Sequence, residues 1–279
     1  MLDLSDAIAT AVSPSNLGTY AECPHRLVRD AQFPKPRDTQ WAPYSDFGTV
    51  CHYMSQYMLG CAPAEPPTET TIRSARTCPG VPTGEDTFNA RVAKCSRRAV
   101  DVLNLASPLP PDTHWVGEQK VYSKTLLPNR RGRHGEVKGY GGSIDVLRSD
   151  RHSLWDFKFV GEHKIPPTGE MRPTWNSNKG STNIGTNGVK NEYLYQIASY
   201  HLVTGVQRTG IIWTGRAGVA AAWLEIDWAE ERAMQFARQV RRFIEFIGFS
   251  NFADIAWPVR GEGCDFCAHK PECPAWAVA

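Results

Sequence analysis

Asp156 and Lys158 stand two residues apart in the stretch SLWDFKF, Ser153 to Phe159. Trp155, Phe157 and Phe159 alternate with them, which is the period-two pattern of a β-strand and leaves the acid and the base together on the non-aromatic face. Such a pair admits two readings. One is an exposed ion pair on an edge strand, worth under about 1 kcal/mol. The other is chemical: the carboxylate holds a metal, and the lysine, a compact point charge, steadies a phosphate or an attacking water. Asp145 favours the chemistry. It lies in GGSIDVL, on the preceding strand pattern, where a hairpin would set it across from Asp156 on one face. Two buried carboxylates repel and raise each other's pKa unless a cation joins them. Mg2+ suits that setting, because it takes oxygen ligands from one or two carboxylates and keeps several waters.

Other residues have types and spacings that fit a site. His52 follows Gly48 in FGTVCHYM, a run with helical spacing. Glu118 lies in the strand pattern GEQKVYS, where the bland reading is a solvated acid. Gln196 and Tyr200 are spaced i,i+4 and share one helix face, a stripe that Tyr193 extends and that reads equally as core. Near the end of the chain, Cys264, Cys267 and Cys273 are spaced C-x2-C-x5-C, with Pro274 after the last. Three thiols are an incomplete site; the natural fourth is Cys23, also followed by proline. A group ligated from both ends would close nearly the whole chain into one loop. Four cysteines satisfy zinc as well as an iron–sulfur cluster, and spacing alone does not choose. His269, inside the knuckle, is the less favoured ligand, and Cys51, Cys61, Cys78 and Cys95 read as free thiols.

Together these segments resemble a known family. SIDVL and LWDFKF are similar to the paired acidic motifs of the PD-(D/E)XK nuclease superfamily, in its RecB-like branch. FGTVCHYM resembles the branch's helix with a metal-binding histidine, here His52; GEQKVYS resembles the strand with an upstream acid, here Glu118; YQIASYHLV matches the Q-x-x-x-Y motif, here Gln196 and Tyr200. The five segments stand in the expected order, and the resemblance covers the chain from about Ser13 to Trp276, with Asp156 where many relatives have Glu. The early YAECPHRL and the late knuckle resemble the AddB-type and fourth-Cas-family nucleases. There one early and three late cysteines hold a four-iron, four-sulfur (4Fe-4S) cluster, which makes Cys23, Cys264, Cys267 and Cys273 the implied ligands, with Zn2+ the alternative. The resemblance implies metal ligation by Asp145, Asp156 and His52, with Glu118 outermost, and catalytic roles for Asp145, Asp156, Lys158, Gln196 and Tyr200. The implied fold is a restriction-endonuclease-like α/β (α+β) core, a central mixed sheet flanked by helices, with the C-terminal knuckle closed by the N-terminal cysteine.

The elements that must position these residues follow from period and punctuation. The chain has 279 residues, 22% charged and 41% hydrophobic, with a net charge of +2, so any nucleic-acid contact needs a local basic patch. Helices are expected from Ser13 to about residue 60, with Ser13 and Pro14 as cap and first helical residue. An irregular excursion over 61–84 leads to a long amphipathic helix, EDTFNARVAKCSRRAVDVLNLA, which Pro108, Pro110 and Pro111 end. The sheet core and Q-x-x-x-Y helix fill 112–228, and the last helix and knuckle 229–279. The strands are WVGEQKVYSKTLL, GEVKGYGGSIDVLRS, SLWDFKF, GIIWTGR and VAAAWLEI, and 161–190 reads as a long loop. Asp227 with Glu230 makes a capping box for the last helix. All of this reads as one domain, 1–279.

Arg130, Arg131, Arg133, His134 and Lys138 crowd one turn, and Arg238, Arg241 and Arg242 one late helix; both are candidate phosphate clamps, and Trp175 a candidate for stacking on a base. No run reaches the length of a membrane span, and the acidic N-terminus lacks a signal peptide's basic start. Eight cysteines then point to a reducing cytoplasm, bacterial or of a phage-infected host, where metal ligation outweighs disulfides. The expected function is a Mg2+- or Mn2+-dependent deoxyribonuclease, an exonuclease on single-stranded DNA ends in recombination, repair or phage DNA processing. Two other classes are a non-catalytic DNA-binding protein with a structural iron–sulfur or zinc staple, and an iron–sulfur electron carrier.

Overall fold

The computed structural model describes residues 3–33, 40–61, 65–128, 130, 136–165, 169–171, 191–258, 264, 267 and 269–275. Among them a six-stranded mixed sheet has the order β1-β2-β3-β5-β6-β4. The strands are β1 (Trp115–Ser123), β2 (Tyr140–Arg148), β3 (Ser153–Val160), β4 (Gly169–Met171), β5 (Arg208–Gly215) and β6 (Ala221–Asp227). The first three form an antiparallel meander. β3 then pairs in parallel with β5 along its whole length, from Ser153 against Arg208 to Val160 against Gly215. Parallel neighbours need a crossover, and α7 (Asn191–Thr204) provides it. Gly205 ends that helix with φ +72°, its amide returning to the His201 carbonyl at 2.8 Å, a left-handed position that favours glycine.

Helices cover both faces of the sheet. On one, α4 (Ala42–Met58), α5 (Glu69–Arg76) and α6 (Glu85–Ala106) bury the aromatic side of β3, with Trp155, Phe157 and Phe159 packed among Phe47, Phe88 and Val92. On the other, α7 and α8 (Glu231–Ile247) join α1 (Leu4–Ala11), α2 (Leu17–Glu22), α3 (Pro24–Gln32) and α9 (Phe252–Ile255) over Ile211, Trp213 and Leu224. α8 shows why it lies there: Ala233, Phe236, Ala237, Val240, Ile244 and Ile247 recur at helical spacing and are all buried. β3 is therefore an interior strand, and the exposed-edge reading of Asp156 falls, since only 3% of that residue is exposed. No helix among the described residues is long and apolar enough to cross a membrane.

Several local expectations are corrected. Ser13 and Pro14 form a turn rather than a helix start; the Asn16 side chain accepts from the Ser13 amide at 2.7 Å, and α2 begins at Leu17. The excursion over 61–84 contains α5, whose cap is Thr68, its hydroxyl accepting from the Thr71 amide. The loop over 161–190 contains β4, paired with β6. The capping box does not form: Asp227 accepts from the Ala229 amide at 2.9 Å and from Gln207, so its carboxylate closes a local turn and α8 starts later. The two ends of the chain meet. Ser5 Oγ donates to the Ser250 carbonyl at 3.1 Å, His25 Nδ1 lies 3.2 Å from the Ala256 carbonyl, and His269 Nε2 lies 2.8 Å from Asp30 Oδ1.

Packing inside the sheet is tight between Gly210 of β5 and the Trp155 indole of β3, where an added Cβ would lie 2.2 Å from the ring. Gly210→Ala is expected to destabilise the protein by about 1–3 kcal/mol through overpacking. Chemical denaturation of the two proteins checks this, and equal midpoints would contradict it.

Candidate active site

β2 loses its regular pairing on both sides at one residue. Against β1, the pairs run Gly117 with Val146 and then Gln119 with Ile144, so Glu118 and Asp145 stand opposite each other outside the ladder. Glu118 has φ +41°, a left-handed backbone uncommon for a residue with a Cβ. Against β3, the pairs are Val146 with Trp155 and Leu147 with Leu154; the next in that register would join Asp145 to Asp156, and the ladder stops before it. The face alternation slips there too. Ile144 packs with Tyr200 on the α7 side, yet Val146, two residues on, packs with Trp155 and Phe157 on the α4 side.

Side chains close the opening. The Phe157 amide donates to Asp145 Oδ2 at 2.7 Å. His52 Nδ1, on α4, lies 3.1 Å from the same oxygen. Gln56, one turn further along α4, donates from Nε2 to the Asp145 carbonyl at 3.0 Å. The His52 ring is held edge-on by Phe157 and Phe159, at centroid distances of 6.1 and 5.3 Å.

The second acid faces α7. Gln196 Nε2 donates to Asp156 Oδ1 at 2.8 Å, and Lys158 Nζ lies 2.6 Å from Asp156 Oδ2. That second oxygen is enclosed and accepts no well-directed hydrogen bond, so the ammonium meets it as a charge. Tyr193 stands under Lys158, its ring centroid 5.6 Å from Nζ. Tyr200 donates its hydroxyl proton to the Ser143 carbonyl at 2.5 Å and lies 3.4 Å from Gln196 Nε2. The i,i+4 spacing of Gln196 and Tyr200 thus serves the acid, not only the core.

Environment separates the two carboxyls. Burial pushes Asp156 up to about 6, and Lys158 recovers only part of the shift. Asp145 is also buried, but His52, Lys158 and the Phe157 amide outweigh burial and hold it below the usual carboxylate range. Burial works against the charged forms of His52 and Lys158; for each the neighbouring acids outweigh it, and both pKa values are raised. The Tyr200 phenol is pushed well above its ordinary value, first by burial and then by Asp156, so it stays protonated and a donor.

Among the described residues, no three His, Cys, Asp or Glu side chains stand as a ready metal cage. The donor types still suit a hard divalent cation: the His52 imidazole meets the Asp145 carboxylate, both are close enough to act on the charge of Asp156, and one Asp156 oxygen lacks a directed hydrogen bond. The Glu118 carboxylate makes no hydrogen bond or ion pair among the described residues, and its deflected backbone sets it apart from the other acids.

Cys23, Cys264, Cys267 and Cys273 are half-buried cysteines in no disulfide, and no three of them form a metal-holding group among the described residues. The knuckle does dock on α3, the helix that begins just after Cys23, and His269 is engaged there by Asp30. Of the basic turn, Arg131, Arg133 and His134 lie outside the described residues, as does Trp175. Arg130 is a structural cation, donating to the carbonyls of Gly139 and Gly141, and Lys138 pairs with Glu136. Arg238, Arg241 and Arg242 lie on the solvent side of α8. Gln56 is the residue the sequence reading missed; its signal was its position four residues after His52, on the same helix face. No protein-family model matches the chain, and no curated protein matches it.

Proposed function

We propose that the chain is a divalent-metal-dependent deoxyribonuclease that hydrolyses phosphodiester bonds at single-stranded DNA ends, in recombination, repair or phage DNA processing. The supporting observation is the meeting of two acids from adjacent strands at an opened ladder, one of them paired with the Lys158 charge and hydrogen-bonded by Gln196. Asp145 and Asp156 would hold Mg2+ or Mn2+, with His52 as a third donor and Glu118 an outer acid. When bound, the metal supplies Lewis acidity and a coordinated water of lowered pKa. Lys158 keeps its proton at neutral pH and offers a fixed positive charge to the phosphate as negative charge develops on it. Gln196 orients the Asp156 carboxylate, and Tyr200, bonded to the Ser143 carbonyl, fixes the α7 face against β2. Cys23, Cys264, Cys267 and Cys273 would hold a 4Fe-4S cluster, or Zn2+, as a staple away from the acids.

Digestion of end-labelled single- and double-stranded DNA tests the reading. Loss of label is expected with Mn2+ or Mg2+ and not with EDTA. Asp156→Ala and Lys158→Ala should each abolish it while leaving the fold intact by circular dichroism. Undiminished cleavage by Asp156→Ala would overturn the assignment.

Metal affinity should depend on pH with a defined sign. Below about 6 the Asp156 carboxyl holds a proton that a metal must displace, so affinity falls as pH falls. Mn2+ titrations at pH 7 and pH 5 should differ roughly tenfold, weaker at the lower pH. Equal affinities would contradict the raised value.

Cys23→Ala should remove the broad visible absorption of a cluster and lower the melting temperature, while folded protein keeps metal-dependent cleavage. In the chain-entropy treatment of cross-links, a closure this long is worth on the order of 4–5 kcal/mol. A colourless wild type with stoichiometric zinc would favour the zinc staple instead.

A further inference from the structure

We infer that Gln56 is a positioning residue that sets the Asp145 carboxylate in the opened ladder by holding that residue's main chain. The metal-ligand role of Asp145 rests on the nuclease reading; the positioning itself does not. Asp145 forms no ladder pair with β1 or with β3, so its carbonyl must find another donor or stay orphaned. The Gln56 amide is that donor, at 3.0 Å, from a side chain 97% buried by the 3% exposure of its residue.

Two further observations tie this bond to the site. First, Gln56 lies one helical turn beyond His52, so a single face of α4 grips Asp145 twice, at the carboxylate through His52 and at the carbonyl through Gln56. Two points of attachment on one residue fix its direction as well as its place. Second, β1 runs past the Gln56 side chain at Gly117, whose Cβ position would lie in ordinary contact with Gln56 Cδ at 3.5 Å and would crowd Cys61 Cβ at 2.9 Å. Gly117 immediately precedes Glu118, the residue whose left-handed backbone faces Asp145. The helix donor and the backbone slip both bear on one carbonyl. With that bond removed, β2 is free to relax towards regular pairing, and the carboxylate leaves the Phe157 amide.

The test uses the full chain and two variants. Gln56→Met keeps the length and removes the donor, and Gln56→Glu keeps the shape and replaces the donor with an acceptor. Three readouts are taken: hydrogen exchange of the Phe157 amide, Mn2+ binding without DNA, and kcat and KM for single-stranded DNA. Faster exchange at Phe157 is expected in both variants, with Mn2+ affinity weakened roughly tenfold, the range for losing a ligand's supporting hydrogen bond. kcat should fall while KM for DNA stays the same. Phe157 exchange and Mn2+ affinity within twofold of wild type would overturn the inference, and so would failure of both variants to fold, which would make Gln56 purely structural. A wild type that binds Mn2+ but cleaves nothing would sink the nuclease reading alone. A wild type that binds no Mn2+ would remove the ligand role, and the exchange at Phe157 would then decide the positioning.

Discussion

Two carboxylates in adjacent antiparallel strands cannot sit directly opposite in a closed ladder without cost, because side chains there stand only about 5 Å apart. The rest of the site follows from how the sheet answers this constraint. It does not separate the acids in sequence register; it opens both ladders at Asp145 and fills the opening with groups that satisfy what was lost. The Phe157 amide, which ordinary pairing would direct to a backbone carbonyl, points at a carboxylate. The Asp145 carbonyl is met by a helix side chain. A buried backbone polar group left alone costs about 1–3 kcal/mol, so a break of this kind persists only where such replacements exist.

The two acids consequently live in different surroundings. Asp145 is held by an imidazole and an amide and stays ionised. Asp156, deeper and facing α7, has one bonded oxygen and one that meets only an ammonium, and burial holds its proton to higher pH. Pairs of titratable groups whose environments push their pKa values apart are a recurrent arrangement where chemistry is done. Here the divergence has a plain origin: α4 serves one acid and α7 the other, from opposite faces of the same sheet.

The sequence showed much of this because its strongest signals were periodic. The run from Glu85 to Ala106 is helical to the residue, and SLWDFKF forms a buried strand with the acid and the base on one side. The hairpin bringing Asp145 towards Asp156 was legible in two alternating runs joined by a polar turn. What escaped was local or tertiary. α5 hides in a stretch rich in threonine and proline, where propensity argues against helix and the cap at Thr68 decides. The Asp227 carboxylate met the Ala229 amide two residues on and closed a turn rather than capping the helix. The opening of the ladder has no signature in composition at all. Glu118 reads as an ordinary strand residue, yet its backbone is left-handed where it faces Asp145 outside the ladder.

The meeting of the chain's ends bears on how the molecule is made. α1 and α3 are made long before the groups that tie them down, at Ser250, Ala256 and His269. β3 likewise waits for β5, whose first residue trails its own partner Ser153 by the whole α7 crossover. Contacts so distant in sequence slow folding, since a long loop must close before they form. During synthesis the nascent chain therefore carries the apolar sides of α1 and α3, and the aromatic side of β3, without their final cover. The acids, the lysine and the glutamine come together only after the α7 crossover and β5 have followed β3.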